Sequence, residues 1–219
     1  MAEKTLEEMR EAVDAIREKM AAAAREAGRA PAEVQLCAAC KTRTAQTIAA
    51  SAALSIDVFG ENHVQELCAN FDAGAYCGKP SHFIGHLQTN KIKKVLGRAS
   101  LIQSVDSEHL LAAIEKEAAK AGIVQNVLLE VNIGGEEAKS GFAPESLEQA
   151  AEEAKKCANV RVRGLMCIPP VAEGEHGSLP YFEKVHALFV DINAKLYDNT
   201  LDILSMGMSG DYEDAVRAG

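Results

Sequence analysis

The stretch NVLLEVN at residues 126–132 is a short, mainly apolar run that ends in a polar residue, the pattern of a strand buried on both faces of a sheet. The segment 144–157 after it carries apolar and charged residues at helical spacing. The pair repeats when VRGLMCI at 162–168 precedes the helical segment 180–197. Strands that alternate with helices predict a parallel sheet covered by helices, because a parallel neighbour is reached only through a crossover.

The same alternation extends along the rest of the 219-residue chain. The further strand-like segments are 34–40, 56–60, 82–85, 101–105 and 201–207, and the further helical ones are about 45–53, 62–70, a helix ending at Lys94, 107–121 and 212–218. One extra amphipathic helix, 6–27, precedes them and is ended by Gly28. The hydroxyl of Ser107 is suited to cap the amino terminus of the helix that follows it. No linker divides the chain, so we expect one domain over residues 1–219.

Two architectures fit this alternation, namely a doubly wound open sheet and a (β/α)8 barrel. A barrel closes with eight strands, whereas the pattern supplies seven strands after the extra helix. If the chain forms a barrel, we therefore expect the eighth strand to be missing from the sequence as given.

The charge and hydropathy of the chain argue against two classes of protein. With 23 basic and 32 acidic residues the net charge is −9, which does not suit a protein that binds a nucleic-acid backbone. The apolar runs are far shorter than the roughly 18 residues of a membrane-spanning helix. The amino terminus lacks the apolar core of a signal peptide. We therefore expect a cytoplasmic protein that binds neither nucleic acid nor membrane.

Six cysteines without an export signal indicate reduced thiols. Cys37 and Cys40 form a C-x-x-C pair, which suits a redox or zinc half-site, but no second pair at ligand spacing accompanies them. The surrounding segment VQLCAACKT has the pattern of a buried strand, whereas a redox pair normally opens a helix. We therefore predict packing cysteines and no metal site.

Candidate functional residues lie where the predicted strands end, since ligands of either architecture bind at the carboxyl ends of the strands. Lys41 directly follows an apolar strand. Partial burial would lower the pKa of its amine and make it a Schiff-base nucleophile, and the alternative is a lysine that extends to solvent. The loop 205–209 contains glycine and precedes a helix, so its N–H groups suit an anion. His82 lies within an apolar strand, which favours a core or cavity-lining histidine over a ligand.

Five groups of residues carry a resemblance to a known family. They are CKTRT (40–44), FGENHVQE (59–66), HFIGHLQTNK (82–91), KSGF (139–142) with RGLM (163–166), and SMGMSGDYEDAV (205–216). In this order, and over nearly the whole chain, they resemble the YggS/PROSC family of pyridoxal 5′-phosphate homeostasis proteins. The resemblance implies a (β/α)8 TIM barrel of the alanine racemase N-terminal type, with an extra N-terminal helix and with pyridoxal 5′-phosphate bound at the strand ends.

The resemblance also assigns a set of cofactor-binding residues and no catalytic residue. The set is Lys41, Asn62, Met166, Ser205, Gly207 and Met208. In the family the lysine forms the internal aldimine, the asparagine lies near the cofactor ring, and the first methionine lines the pocket. The serine binds the phosphate, and the glycine and second methionine lie in the same loop.

The chain departs from the family pattern in three places. Cys40 stands where a serine is usual, and Ser81 stands where an aromatic residue often precedes HFIG. Family members also continue past the last helix into a strand whose arginine and Gly-Thr help to hold the ring nitrogen and the phosphate. The sequence ends at Gly219 before such a strand, and a true truncation would weaken cofactor binding and expose strand edges.

Three functions are compatible with these residues. The resemblance implies a protein that stores pyridoxal 5′-phosphate and delivers it to apo-enzymes without turnover, helped by a mobile loop around 134–141. The alternative is an amino-acid racemase, which is disfavoured because relatives with that activity use a second domain and a tyrosine from a partner subunit. The third function, a barrel that binds no cofactor, would require the five motif matches to be coincidental.

Without a dimerising second domain, we expect a monomer.

Overall fold

Seven parallel strands form one sheet in the computed structural model, which describes residues 4–136 and 139–219. The strands are β1 (Cys37–Ala39), β2 (Val58–Glu61), β3 (Ser81–Phe83), β4 (Leu101–Val105), β5 (Gln125–Val131), β6 (Val160–Cys167) and β7 (Ile203–Ser205). Their order in the sheet is their order in the chain. A doubly wound sheet would reverse its strand order at a switch point, so the barrel architecture is confirmed. The described residues contain no eighth strand.

Helices connect these strands and pack on the outer face of the sheet. They are α1 (Leu6–Glu26), α2 (Ala45–Ser51), α3 (Val64–Asp72), α4 (Ile92–Val95), α5 (Glu108–Ala121), α6 (Leu147–Lys155), α7 (Leu179–Leu196) and α8 (Tyr212–Ala218), with short 3-10 turns at Pro31–Glu33, Thr89–Lys91 and Pro144–Ser146. The extra amino-terminal helix is confirmed, and Met20 of α1 shares an apolar cluster with Val216 of α8. Within the described residues no helix has the length and apolar character needed to cross a membrane.

Side-chain caps mark where α1 and α5 begin. Thr5 Oγ1 accepts a hydrogen bond from the Glu8 N–H at 3.2 Å, and the Thr5 N–H donates to the Glu8 carboxylate at 2.7 Å. This reciprocal pair satisfies two of the otherwise unpaired groups at the start of α1. Ser107 Oγ accepts from the Leu110 N–H at 3.3 Å, which confirms the predicted cap of α5.

The sheet separates two apolar layers. The larger layer joins the outward side chains of the strands to the helices, and its strand members include Phe59, Phe83, Ile102, Leu129 and Leu165. The smaller layer lies on the inner face and consists of Leu101, Leu128 and Met166 with the half-buried Ile203. Sequence neighbours fall in different layers because successive side chains of a strand point to opposite faces. We call the space enclosed by the inner face the lumen.

One hydrogen bond shows that the sheet is curled. Ser205 Oγ on β7 donates to Gln103 Oε1 on β4 at 2.7 Å, although β5 and β6 lie between these two strands in the sheet. In a flat sheet the two strands would be about 14 Å apart, because adjacent strands are spaced by ~4.8 Å. The inner face therefore closes on itself, and β1 and β7 are the two edges of the described sheet.

The two cysteines of the C-x-x-C pair occupy different environments. Cys40 is 4% exposed and lies in the helix-facing core, which confirms its predicted packing role. The same prediction is wrong for Cys37, which is an exposed free thiol. Alternation along β1 turns this side chain toward the lumen, where no further strand of the described sheet covers it.

The loop that is predicted to be mobile is fastened at its base. The Phe142 N–H donates to the Glu130 carbonyl at 2.7 Å, and the Asn132 N–H donates to the Phe142 carbonyl at 2.9 Å. These bonds extend the end of β5 by a short bridge. Residues 137 and 138 of this loop lie outside the described residues, so the mobility of the loop stays a prediction.

The close approach of the β6 and β7 backbones depends on Gly164. A Cβ added at Gly164 would lie 1.7 Å from the Ile203 carbonyl oxygen, and the backbone φ is +152°. Gly164→Ala should therefore lower the free energy of unfolding by roughly 3 kcal/mol or more, because the paired backbones must separate. Gly97→Ala is the control, since Gly97 has φ +76° but open space around it. The control should lose only about 1–2 kcal/mol. Urea unfolding measures both, and equal losses would contradict the close approach.

Candidate functional site

Lys41 lies just beyond β1, at the carboxyl end of the barrel. The Cys40 N–H donates to the Gly60 carbonyl at 2.8 Å, so pairing with β2 continues one residue past Ala39. Cys40 belongs to the helix-facing core. Alternation therefore assigns Lys41 to the lumen side, in line with Ala39.

Lys41 is exposed, so the expected partial burial of its side chain is wrong and the alternative of a lysine that reaches solvent is correct. The reason is the position of β1 at the edge of the described sheet, where a neighbour covers the strand on one side only. The next residue, Thr42, has φ +65°, an uncommon conformation for a residue that is not glycine. The chain thus turns sharply directly after the lysine.

Asn62 follows β2 in the position that corresponds to Lys41 of β1. Ala39 pairs with Gly60, and extending this register by two residues places Lys41 beside Asn62. The Oδ1 atom of Asn62 is buried and has no hydrogen-bond partner within the described residues. The backbone here is crowded as well, since a Cβ added at Gly85 would lie 2.0 Å from the Asn62 carbonyl oxygen. An unpaired buried acceptor is costly, so Asn62 is suited to a ligand that carries a donor.

Met166 and Ser205 are neighbours on the opposite side of the lumen. They pair in register between β6 and β7, and Glu130 of β5 pairs with Met166 in the same row. Met166 is 4% exposed within the inner apolar cluster, whereas Ser205 is half-buried. An apolar wall and a hydroxyl thus stand side by side.

A hydrogen-bonded chain joins the two sides of the lumen. Ser205 Oγ lies 2.7 Å from Gln103 Oε1, and Gln103 Nε2 lies 2.8 Å from His82 Nδ1. His82 is in turn the register partner of Gly60, beside Ala39. We call Ser205, Gln103 and His82 the lumen triad. His82 is therefore a cavity-lining histidine, one of the two roles that its apolar strand favours.

The histidine of the lumen triad is electrically neutral at neutral pH. Burial lowers the pKa of His82 to about 4, and the nearby Arg163 guanidinium contributes to the shift. A neutral imidazole has one bare nitrogen and one N–H, so it is able to accept or donate at Nδ1 depending on its tautomer.

The loop after β7 packs tightly against α8. Gly207 has φ +87°, and a Cβ there would lie 2.7 Å from the Ala215 Cβ and 2.9 Å from the Tyr212 Cα. The Met208 N–H donates to Asp211 Oδ1 at 2.6 Å, and the Met208 side chain is 52% exposed. Position 207 therefore requires glycine, and the Met208 amide, one of the N–H groups predicted to suit an anion, is already bonded to a carboxylate.

Glu61 anchors the end of β2 from the outer side. It is fully buried, and its Oε1 accepts hydrogen bonds from Asn70 Nδ2 at 2.8 Å and from the Tyr76 hydroxyl at 2.9 Å. Its Oε2 is buried without a partner in the described residues. Burial raises the pKa of the Glu61 carboxyl, and the neighbouring Glu66 adds to the shift. This anchor fixes β2 to α3 directly before Asn62.

Sequence reasoning missed two lumen residues, Gln103 and Glu130. Gln103 is 4% exposed and occupies the third position of LIQSV, on the same side as the inward Leu101. Glu130 lies within LLEV, two residues after the inward Leu128. Burial raises the pKa of Glu130 to about 7, with a further contribution from Asp106. A polar residue at an inward position of an apolar strand is the signal that would have found both.

The described residues contain no group of three or more His, Cys, Asp or Glu side chains that could hold a metal ion. The groups described above at the lumen are an amine, two amides, a hydroxyl, an imidazole and a carboxyl group.

The comparisons with known proteins place the chain in a family. A family model described as the N-terminal domain of alanine racemase matches residues 12–218. The chain belongs to the alanine racemase N-terminal domain family. It is 40% identical over 209 residues to the pyridoxal phosphate homeostasis protein of Aquifex aeolicus. The aligned region covers 95% of this chain and 91% of that protein. The protein of the same name from Pseudomonas aeruginosa is 38% identical over 200 residues, with 90% and 84% covered. The predicted membership in the YggS/PROSC family is confirmed.

Solved structures agree with this family assignment. A protein of unknown function from Bifidobacterium adolescentis superposes with a TM-score of 0.91 at 34% identity, covering 98% of this chain and 91% of that one. PipY of Synechococcus elongatus, solved with PLP bound, gives 0.78 at 28% identity, with 93% and 94% covered. An alanine racemase of Clostridium difficile shares the fold at 14% identity, with a TM-score of 0.66.

The buried carboxyl of Glu61 makes stability depend on pH. Because its pKa is raised in the folded protein, the folded state holds this proton more tightly than the unfolded chain does. Its contribution to stability is therefore present below about pH 4.5, the unfolded value, and is lost as the pH rises toward the folded pKa. Glu61→Gln keeps an acceptor for Asn70 and Tyr76 and removes the ionisation, so the free energy of unfolding should fall less steeply with rising pH.

Urea unfolding at a series of pH values measures this effect. Glu152→Gln, a change of the same kind at an exposed position of α6, is the matched control and should leave the slope unchanged. A slope in Glu61→Gln identical to that of the wild type would mean that Glu61 is already ionised in the folded protein.

Proposed function

We propose that the protein binds pyridoxal 5′-phosphate at the carboxyl ends of its strands and acts in the homeostasis of this cofactor, by storing and delivering it. The observation that carries the proposal is the β1–β2 register, which when extended places the exposed Lys41 beside Asn62, whose buried Oδ1 has no partner in the described residues. A relative that is 40% identical carries the name pyridoxal phosphate homeostasis protein, and PipY was solved with PLP bound.

The residues at the mouth of the lumen fit this cofactor. Pyridoxal 5′-phosphate supplies an aldehyde carbon that an amine attacks, and a ring that needs an apolar wall. Lys41 supplies the amine for covalent attachment, and its exposure leaves that amine accessible to a ligand that enters from solvent. Asn62 offers an acceptor beside it, and Met166 offers the apolar wall.

The phosphate of the cofactor carries negative charge and needs hydrogen-bond donors. The chain as a whole is acidic, with a net charge of −9, so its overall charge does not attract this group and local donors have to hold it. Ser205 supplies a hydroxyl next to Met166. Gly207 lets the chain lie against α8 two residues after Ser205. Together with Met208, whose N–H would have to leave Asp211 Oδ1 to bind the anion, these residues form the phosphate side of the proposed pocket.

Homeostasis without turnover fits the placement of the tyrosines. An amino-acid racemase needs a second acid or base beside the lysine. Tyr76 and Tyr197 bond to Glu61 and to the Ala151 carbonyl in the helix layer, and the other two tyrosines belong to α7 and α8. We therefore propose that the protein does not itself turn over amino acids. We also propose that it delivers the cofactor to apo-enzymes and acts as a monomer.

One observation favours the racemase alternative. Glu130 lies beside Met166 on the inner face, and burial raises its pKa to about 7, the range in which a carboxyl exchanges protons at neutral pH. Chiral chromatography of amino acids incubated with the protein and pyridoxal 5′-phosphate separates the two functions. The carrier should form no more of the opposite enantiomer than free cofactor does. Formation of that enantiomer, abolished in Glu130→Gln, would establish the racemase.

Lys41→Ala tests the proposed attachment. Without the amine, the variant mixed with pyridoxal 5′-phosphate should show only the absorption of free cofactor, and borohydride should fix no label on it. The wild type should show a new visible band, and peptide mapping after reduction should find the label on Lys41. Lys116→Ala removes an exposed lysine of α5 and should behave as the wild type. A label on a different lysine of the wild type would overturn the assignment.

A further inference from the structure

The lumen triad contains a buried amide whose two ends are both bonded. Gln103 is 4% exposed, and its side chain meets Ser205 on one side and His82 on the other. Both partners come from strands that are not sequence neighbours of each other, β7 and β3. Holding a buried amide between two such partners fixes the position of the Gln103 side chain, and the orientation of its amide sets the direction of the serine hydroxyl.

In the first of two possible arrangements, the serine hydroxyl donates its hydrogen bond to Gln103. Ser205 Oγ donates to Gln103 Oε1, and Gln103 Nε2 donates to a bare Nδ1 of His82. The hydroxyl of Ser205 then presents only lone pairs to the mouth of the lumen. Lone pairs repel a phosphate oxygen, so this arrangement does not suit the anion that Ser205 is proposed to bind.

A second arrangement uses the same atoms and the same distances. If the Gln103 amide turns by half a rotation, its Nε2 donates to Ser205 Oγ and its Oε1 accepts from a protonated Nδ1 of His82. The hydroxyl proton of Ser205 is then free to point at a phosphate oxygen. The imidazole stays neutral in both arrangements, which agrees with the lowered pKa of His82. Apart from the turn of the amide, only the tautomer of the His82 imidazole changes: one proton leaves Nε2 and one arrives at Nδ1.

We propose that Gln103 is a positioning residue for phosphate: supported by His82, its amide directs the Ser205 hydroxyl toward the phosphate group of the bound cofactor. This inference rests on the proposed function, since it concerns the phosphate of pyridoxal 5′-phosphate. It predicts that Gln103 acts on the phosphate alone and that the tautomer of His82 reports on binding.

The first experiment compares pyridoxal 5′-phosphate with pyridoxal, which has the same aldehyde and ring without the phosphate. Gln103→Met keeps the length of the side chain and removes both hydrogen bonds. It should raise the Kd for pyridoxal 5′-phosphate about tenfold, the size of one hydrogen bond to a charged group, and leave the Kd for pyridoxal unchanged. In a Ser205→Ala background the same change should have no further effect, because Gln103 acts through that hydroxyl.

Gln125→Met is the matched control, since Gln125 is also a buried glutamine, 3% exposed. Its amide donates to the Ala99 and Asn126 carbonyls at the amino-terminal end of β5, whereas the proposed site lies at the carboxyl ends of the strands. The control should change neither Kd. Equal weakening of both ligands by Gln103→Met, or an effect that persists in Ser205→Ala, would overturn the inference and leave Gln103 a structural residue. Failure of the proposed function gives a different result, namely a wild type that binds neither ligand.

The second experiment reads the tautomer directly. Nitrogen-15 NMR of histidine-labelled protein should show His82 protonated at Nε2 before pyridoxal 5′-phosphate is added and at Nδ1 afterwards, with the signal assigned by its loss in His82→Phe. Pyridoxal should leave the tautomer unchanged. A tautomer that stays the same when pyridoxal 5′-phosphate binds would contradict the inference, because a purely structural triad has no reason to respond to a phosphate.

Discussion

The inner face of the sheet has to be covered by its own side chains, and this constraint shapes the rest of the molecule. A parallel sheet is stable only when both faces are buried. Helices cover the outer face here, and the inner face closes through contacts across the lumen, with Leu101, Leu128 and Met166 packed together and Ser205 bonded to Gln103. Because that closure brings β4 and β7 together, it also brings polar side chains from distant parts of the chain to the mouth of the lumen.

The same closure explains why the proposed site has two unlike sides. Strand β1 is an edge of the described sheet, so Lys41 is exposed and its surroundings are open. On the other side Met166 is buried, and Ser205 is tied to a neutral imidazole through Gln103. An accessible amine suits a ligand that must enter and leave, whereas a preorganised hydroxyl suits a group that must be held. A protein that stores and delivers a cofactor needs both properties.

Much of the fold could be predicted from the pattern of the sequence, and the limits of that prediction have local causes. Strand β4 and helix α8 have the predicted bounds, 101–105 and 212–218. The strand predicted at 34–40 shrinks to Cys37–Ala39, since an edge strand has a partner on one side only. The helix predicted to end at Lys94 is a 3-10 turn and a single turn of α4. Apolar periodicity gives the type of an element more securely than its ends.

The sequence by itself determined the strand-helix alternation, the family and the residues at the strand ends, because these follow from local spacing and from motifs that are contiguous in the chain. Tertiary structure alone decided which strand-end residues face each other. Gln103 and Ser205 are 102 positions apart, and no local pattern records a contact that exists only after the sheet has curled. The exposure of Lys41 and the partial burial of Glu130 were decided in the same way, because burial depends on which neighbours the closed sheet supplies.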